Sequence, residues 1–151
     1  MKRVALIAFA LLLTTAQAVA LTPNATVAFS GIPGLEDSTF PCTLSYSIQG
    51  LPRVKEILAA GERPDQTTFI SEKKFGYSLF VVKAGHEGFE VLEAQCKSRE
   101  TFESVILDVK NPAGETVLTL TGTECTISAV RRVGPNDRMV IRVRRVEVAF
   151  K

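Results

Sequence analysis

Apolar and polar side chains alternate along most of the chain beyond its first twenty residues. In residues 40–49 one face of the alternation is polar and the other carries Cys42, Leu44, Tyr46 and Ile48. A period of two predicts a half-buried β-strand. The same reasoning predicts strands over residues 22–30, 67–70 and 77–83, and in the segments Val105 to Val109, Leu118 to Leu120, Cys125 to Ala129, Met139 to Val143 and Val146 to Phe150.

The alternation changes phase at two places in the second half of the chain. Between Leu120 and Cys125 the apolar positions change from even to odd numbers, which predicts a bulge or bend at residues 122–123. A second change, at residues 144–145, predicts another bulge. Residues 80–82 are instead a continuous apolar run, and such a run predicts a strand that is buried on both faces.

Helical spacing is found in residues 87–96. Phe89, Leu92 and Cys96 fall on one stripe of such a helix, and three glutamates lie mostly on its other side. Residues 50–66 are irregular, and we interpret them either as one or two short helical turns or as a mobile loop. Glycine and proline predict turns at residues 31–34, 111–114 and 134–137. Many short strands, regular turns and one helix predict a mainly-β fold, either a barrel or a sandwich.

The first twenty residues have the pattern of an export signal. Two basic residues, Lys2 and Arg3, precede an unbroken apolar run that ends at Leu13, and A-x-A cleavage motifs follow. The run is shorter than the ~20 residues that a membrane-spanning helix needs. We therefore expect a signal peptide over residues 1–20, one domain over residues 21–151, no transmembrane segment, and a periplasmic or extracellular location.

Charge is balanced overall but unevenly placed. The signal holds two of the 18 basic residues, which leaves 16 basic against 16 acidic residues in the remainder. The last part of the chain, residues 131–151, is strongly basic because it contains the arginines Arg131, Arg132, Arg138, Arg142, Arg144 and Arg145. A neutral molecule with segregated charge is suited to binding copies of itself head to tail.

The arginine cluster has three interpretations. The first is an exposed strand face that discourages unwanted edge pairing, the second is a charged interface between subunits, and the third is a site for an anionic surface or nucleic acid. Nucleic acid ranks last, because the chain without its signal is neutral and lacks tryptophan. As an interface, the cluster is expected to present Arg142, Arg144 and Arg145 to a partner.

Catalytic and metal-binding motifs are missing from the sequence. The single histidine, His86, lies between glycines and has no catalytic motif around it. The cysteines are too far apart for metal-ligand spacing, and there is no phosphate-binding glycine loop. We expect a non-enzymatic protein without metal or cofactor, and a hydrolase that uses His86 is the least favoured alternative.

Three cysteines, Cys42, Cys96 and Cys125, remain after the signal. An exported chain reaches an oxidising compartment, so one disulfide and one free thiol are plausible. Cys96–Cys125 is the pair that we favour, and the alternative is three buried thiols that act as small apolar residues.

Several stretches of the chain, taken in order, resemble a known family. Residues 29–37 (FSGIPGLED) are similar to an opening strand with a Gly-Ile-x-Gly-Glu-Ser turn, although Leu35-Glu36 departs from the usual Glu-Ser. Residues 101–109 (TFESVILDV) are similar to an x-F-x-x-V-x-L strand after a short helix, and residues 137–143 (DRMVIRV) to a last strand. These features resemble the haemolysin-coregulated protein (Hcp) family, the tube proteins of type VI secretion.

The resemblance implies an antiparallel barrel of two packed sheets with one short helix, and ring-shaped oligomers, commonly hexamers. It also implies that the barrel has no enzymatic site. The resulting hypothesis is an exported β-barrel that assembles with itself or binds another secreted or envelope protein. The alternative is a monomeric periplasmic ligand- or inhibitor-binding module, with a pocket lined by the aromatic residues Phe69, Phe75, Tyr77 and Phe80.

Overall fold

A computed structural model describes residues 24–47, 68–72 and 77–151 of the chain. The predicted signal at residues 1–20 and the irregular segment at residues 50–66 lie outside this part. The described strands are β1 (Ala25–Ser30), β2 (Thr39–Ser47), β3 (Thr68–Glu72), β4 (Ser78–Ala84), β5 (Phe102–Lys110), β6 (Thr116–Val133) and β7 (Asn136–Phe150). The helix α1 spans Phe89–Ser98.

The strands form one antiparallel sheet that closes on itself. In the order β7, β4, β2, β1, β5 and β6 each strand pairs with the next, and β6 pairs back onto β7. Strand β3 lies outside this circuit and pairs with the second half of β7, whose first half pairs with β4. The prediction of a mainly-β antiparallel barrel with one short helix is confirmed.

The barrel interior is filled by the side chains that the alternation places inward. Phe80, Leu107, Leu120 and Ile141, which come from four different strands, are all fully buried. Fully burying one such side chain contributes about 1.5–3 kcal/mol. The interior is therefore a packed core rather than a ligand cavity.

Strand β4 has one buried face, so the prediction that residues 80–82 are buried on both faces is wrong. Phe80 and Val82 are fully buried, whereas Val81 is half-buried and Leu79 is 39% exposed. The reason is closure: β4 is part of a barrel wall, and in a small barrel only one face of each strand can point inward.

The two predicted changes of phase face one another across neighbouring strands. On β6 the buried positions change between Gly122 and Cys125, where Glu124 adopts a left-handed φ of 52°. On β7 they change at the exposed residues 144–145, and the register pairs Thr123 with Arg145. Both strands thus exchange their inward and outward faces at the same level, so the pairing register is kept. The change of face is therefore present at both predicted places. The bulge predicted at residues 144–145 is wrong, because the β6–β7 register runs without a shift from Gly122–Val146 to Ile127–Ile141.

One inward position was predicted wrongly. The β6–β7 register shifts between Ile127 and Ala129. The extra residue at this bulge turns Ala129 outward, and its side chain is exposed rather than aligned with buried Ile127.

The helix α1 lies within two residues of its predicted position and packs against β6. Leu92 is buried, and Phe89 and Cys96 are half-buried, as expected for one apolar stripe. Gly88 precedes the helix with a φ of 71°, and a Cβ there would lie 2.9 Å from the Leu35 side chain. Within the described residues, no helix is both long and apolar enough to cross a membrane.

Candidate functional site

The six arginines singled out in the sequence lie on one hairpin of the barrel. Strands β6 and β7 are adjacent, and all six side chains are exposed on them. A basic wall therefore runs along β6 and β7, and the exposed carboxylates of Glu124 and Glu147 lie within it. The wall continues onto the neighbouring strand β4 through the exposed Lys83.

Three of the six arginines have partners among the residues that the structure describes. The Arg132 guanidinium lies 4.3 Å from the centre of the Phe89 ring, and its Nε is 3.6 Å from Asp137 Oδ1. The Arg142 guanidinium lies 5.8 Å from the centre of the Tyr77 ring. Nη1 of Arg144 donates a hydrogen bond to Glu124 Oε2 at 3.2 Å. The Arg144 pair is exposed, and such pairs contribute about 0.2–1 kcal/mol each.

Three other cations of the wall form a row across adjacent strands. The register places Lys83 of β4 opposite Arg138 of β7, and Arg138 opposite Arg131 of β6. Within the described part of the chain, no acidic side chain forms an ion pair with any of the three. Like charges directly opposite each other on neighbouring strands are destabilising. We call Lys83, Arg138 and Arg131 the cation row.

An acidic surface lies in the loop between β1 and β2. The predicted turn at residues 31–34 is present, with φ values of 83° at Gly31 and 91° at Gly34. The Gly34 N–H donates to Glu36 Oε2 at 2.7 Å, and Asp37 adopts a φ of 60°. This geometry leaves the carboxylates of Glu36 and Asp37 exposed on a groove of about 520 Å³.

A third carboxylate extends this acidic surface onto β5. Ser30, which lines the groove, donates a hydrogen bond to Glu103 Oε2 at 3.2 Å. We call Glu36, Asp37 and Glu103 the acidic groove. No lysine or arginine of the described ranges forms an ion pair with these three carboxylates.

The cation row and the acidic groove occupy opposite walls of the barrel. Around the closed circuit, β1 is three strands away from β7 in either direction. The two surfaces also lie at the same end of the barrel, where β1, β4 and β6 finish and β2, β5 and β7 begin. The charge segregation inferred from the sequence is therefore a segregation in space.

The single histidine lies against a buried carboxylate. His86 precedes α1, and its Nδ1 is 2.9 Å from Oδ1 of Asp137, whose side chain is only 3% exposed. The distance is that of an ion pair, but neither oxygen of Asp137 makes a hydrogen bond of acceptable geometry with the described residues. We regard the contact as electrostatic and name His86, Asp137 and Arg132 the Asp137 cluster.

The cluster connects three elements at one end of the barrel. Asp137 begins β7, Arg132 is near the end of β6, and His86 comes from the segment between β4 and α1. The sequence predicts a turn at Asp137 and no role for its side chain. The only feature that could have pointed to this residue is its position, one residue before the alternating run that starts at Arg138. Among the described residues, Asp137 is the side chain that contacts the His86 imidazole.

The three cysteines are free thiols, and Cys96 and Cys125 do not form the disulfide that we preferred. Cys42 and Cys125 point into the barrel and are buried, whereas Cys96 is half-buried on α1. Burial raises the pKa of both Cys42 and Cys125 to about 12. A hydrogen bond with the Val105 backbone acts in the opposite direction at Cys125 and is outweighed. These two thiols act as small apolar core residues, as the alternative interpretation expected.

The alternative hypothesis predicts an aromatic pocket, and the structure describes the side chains of two of its four residues, Tyr77 and Phe80. These two side chains do not line a common pocket. Phe80 is completely buried in the core, whereas Tyr77 is 43% exposed on the outside. The two face opposite sides of the barrel wall. No group of three or more histidine, cysteine, aspartate or glutamate side chains in the described ranges is arranged to hold a metal ion.

The chain was compared with solved structures, family models and curated proteins. The chain is similar to the crystal structure of a type VI secretion system effector from Yersinia pestis, with a TM-score of 0.40. The two sequences are 14% identical, and the similarity covers 83% of each chain. No protein-family model matches the chain, and no curated protein matches it.

Proposed function

We propose that this chain is an exported, non-enzymatic β-barrel protein that assembles with copies of itself into rings, as its sequence resemblance to the Hcp family implies. One observation carries the proposal: cations and carboxylates that have no ion-pair partner among the described residues lie at the same end of the barrel on opposite walls. A single molecule cannot bring these two surfaces together. A second copy can.

Two different surfaces that bind each other produce a head-to-tail contact. Such contacts form closed rings when the rotation between neighbours closes, and open filaments when it does not. Because both surfaces lie at one level along the barrel, a rotation about an axis parallel to the barrel keeps them aligned from one copy to the next. Side-by-side assembly into a ring is the arrangement that this geometry supports best.

The basic wall also has the composition of an interface. Ile70 of β3 is 53% exposed, and on β4 Leu79 lies opposite Arg142 of β7. Tyr77, next to Arg142, is 43% exposed. Arginine and tyrosine are enriched at protein–protein interfaces and among the residues that contribute most of the binding energy, and the buried centre of an interface is more apolar than its rim.

The oligomeric state in solution tests the proposal. The processed protein, recovered from the periplasm of an expressing bacterium, is analysed by size-exclusion chromatography with light scattering over a range of concentrations. We expect a mass of several protomers at low salt, and a smaller mass as salt screens the charges. A protein that stays monomeric at high concentration and low salt excludes the ring and favours the monomeric binding module.

Export is tested on the same material. Mass spectrometry of the periplasmic protein is expected to show a chain that has lost residues 1–20, since cleavage is predicted after an A-x-A motif. A full-length chain confined to the cytoplasm would contradict the proposed location without bearing on assembly.

A further inference from the structure

We infer that the cation row of one copy docks into the acidic groove of the next copy. The inference rests on the proposed self-assembly and goes further by assigning the residues that meet. The partner of Lys83, Arg138 and Arg131 is then a second copy of this chain, and not a lipid surface or another polyanion.

The three side chains of the cation row repel one another. The register places the three side chains side by side on neighbouring strands, where opposite residues have Cβ atoms about 4.5–5.5 Å apart. Arg144, in contrast, has a carboxylate neighbour, because it donates a hydrogen bond to Glu124. Repulsion among Lys83, Arg138 and Arg131 is relieved when carboxylates from another molecule approach the row.

Two carboxylates of the acidic groove are held in place by hydrogen bonds. Glu36 uses one carboxylate oxygen to accept the Gly34 N–H, and Glu103 accepts from Ser30. Both bonds hold a carboxylate in place, and neither bond neutralises its charge. The groove, at about 520 Å³, has room for the ends of arginine and lysine side chains. These exposed carboxylates complement the cation row, and neither set has an ion-pair partner in the part of the chain that the structure describes.

The cation row and the acidic groove match in the number of their charges and in their position on the barrel. Three cations and three carboxylates lie at the same level of the barrel on opposite walls, so each copy offers one complete surface of each sign. Every interface of a closed ring is then satisfied. The Asp137 cluster holds the hairpin that carries Arg131 and Arg138 against the loop before α1, and this keeps the row at that level.

Charge reversal with mixing tests the docking directly. Arg138→Glu puts a carboxylate into the cation row and lowers its charge from +3 to +1, and Asp37→Lys puts a cation into the acidic groove and lowers its charge from −3 to −1. We expect each variant alone to self-associate about tenfold more weakly or worse. In an equimolar mixture, Glu at position 138 meets Lys at position 37 at one interface, and wild-type surfaces meet at the next. The mixture is therefore expected to regain the wild-type oligomer mass.

Lys97→Glu is the matched control, because it reverses an exposed cation on α1 that already pairs with Glu93 at 3.4 Å. It is expected to keep the wild-type mass, and circular dichroism checks that all variants are folded. Should wild-type protein form oligomers that Arg138→Glu leaves intact, the docking is wrong while self-assembly stands. Should the wild type be monomeric, the proposed function itself fails.

A mixture that does not regain the oligomer also overturns the inference. So does wild-type binding to anionic phospholipid vesicles that is abolished by Arg138→Glu while the oligomer persists, since the row then serves a lipid surface.

Discussion

Nδ1 of His86 lies 2.9 Å from Oδ1 of Asp137, and this contact joins the segment before α1 to the first residues of β7. The carboxylate is almost completely shielded from water, and Arg132 approaches the same oxygen at 3.6 Å. Burying a carboxylate without compensating partners is costly. The two positively charged or chargeable neighbours offset that cost, so the three side chains hold this end of the barrel together.

Removing the imidazole is therefore expected to destabilise the fold. His86→Ala leaves buried Asp137 with Arg132 as its remaining neighbour in the cluster, and we expect the free energy of unfolding to fall by about 1–3 kcal/mol. Urea denaturation measures the loss. A double-mutant cycle with Asp137→Asn provides the control, because the two changes should be less than additive if the residues interact. Strictly additive losses of stability would show that His86 and Asp137 do not interact.

Gly122 is required where β6 changes its inward face. A Cβ at this position would lie 2.6 Å from Cγ1 of Val143 and 3.1 Å from Cγ1 of Val105, in the packed core. We expect Gly122→Ala to lower the free energy of unfolding by about 1–3 kcal/mol through overpacking. Gly85→Ala is the control, because nothing lies within 4 Å of its added Cβ. Equal stability of the two variants in urea would contradict the packing described here.

The three thiols are expected to differ in reactivity. The thiolate is the species that iodoacetamide alkylates, and a thiol with a pKa of about 12 is ionised to about one part in ten thousand at pH 8. Half-buried Cys96 should therefore be labelled first in the native protein, and Cys42 and Cys125 only after unfolding. Peptide mass spectrometry after timed labelling identifies the sites. Early labelling of Cys125 would mean that the barrel interior is open.

The same two thiols predict an alkaline limit to stability. Burial raises the pKa of Cys42 and Cys125 from 9.0 to about 12, so folding favours the neutral thiol. Their contribution to the free energy of unfolding is complete below pH 9 and is lost as the pH rises from about 9 towards 12. The urea midpoint of the wild type should then fall more steeply above pH 9 than that of Cys42→Ala/Cys125→Ala. Identical slopes would contradict this.

Local patterns in the sequence were sufficient to predict much of the wall of this barrel. Whether a residue in a strand points inward depends on its own side chain and on those two positions away, so Val105, Leu120 and Ile141 could be assigned to the core. The phase changes near Gly122 and Arg144 were visible for the same reason. The turn at residues 31–34 followed from its glycines and proline.

Only the tertiary structure decided which residues far apart in sequence are in contact. Lys83 lies beside Arg138, and His86 beside Asp137, only because distant strands pair in one register, and no local alternation encodes that register. Closure of the sheet turned Val81 outward, kept Cys96 and Cys125 apart, and carried the acidic groove to the wall opposite the cation row. Side-chain periodicity is a short-range property of the chain. Strand pairing and barrel closure depend on contacts between residues far apart in sequence.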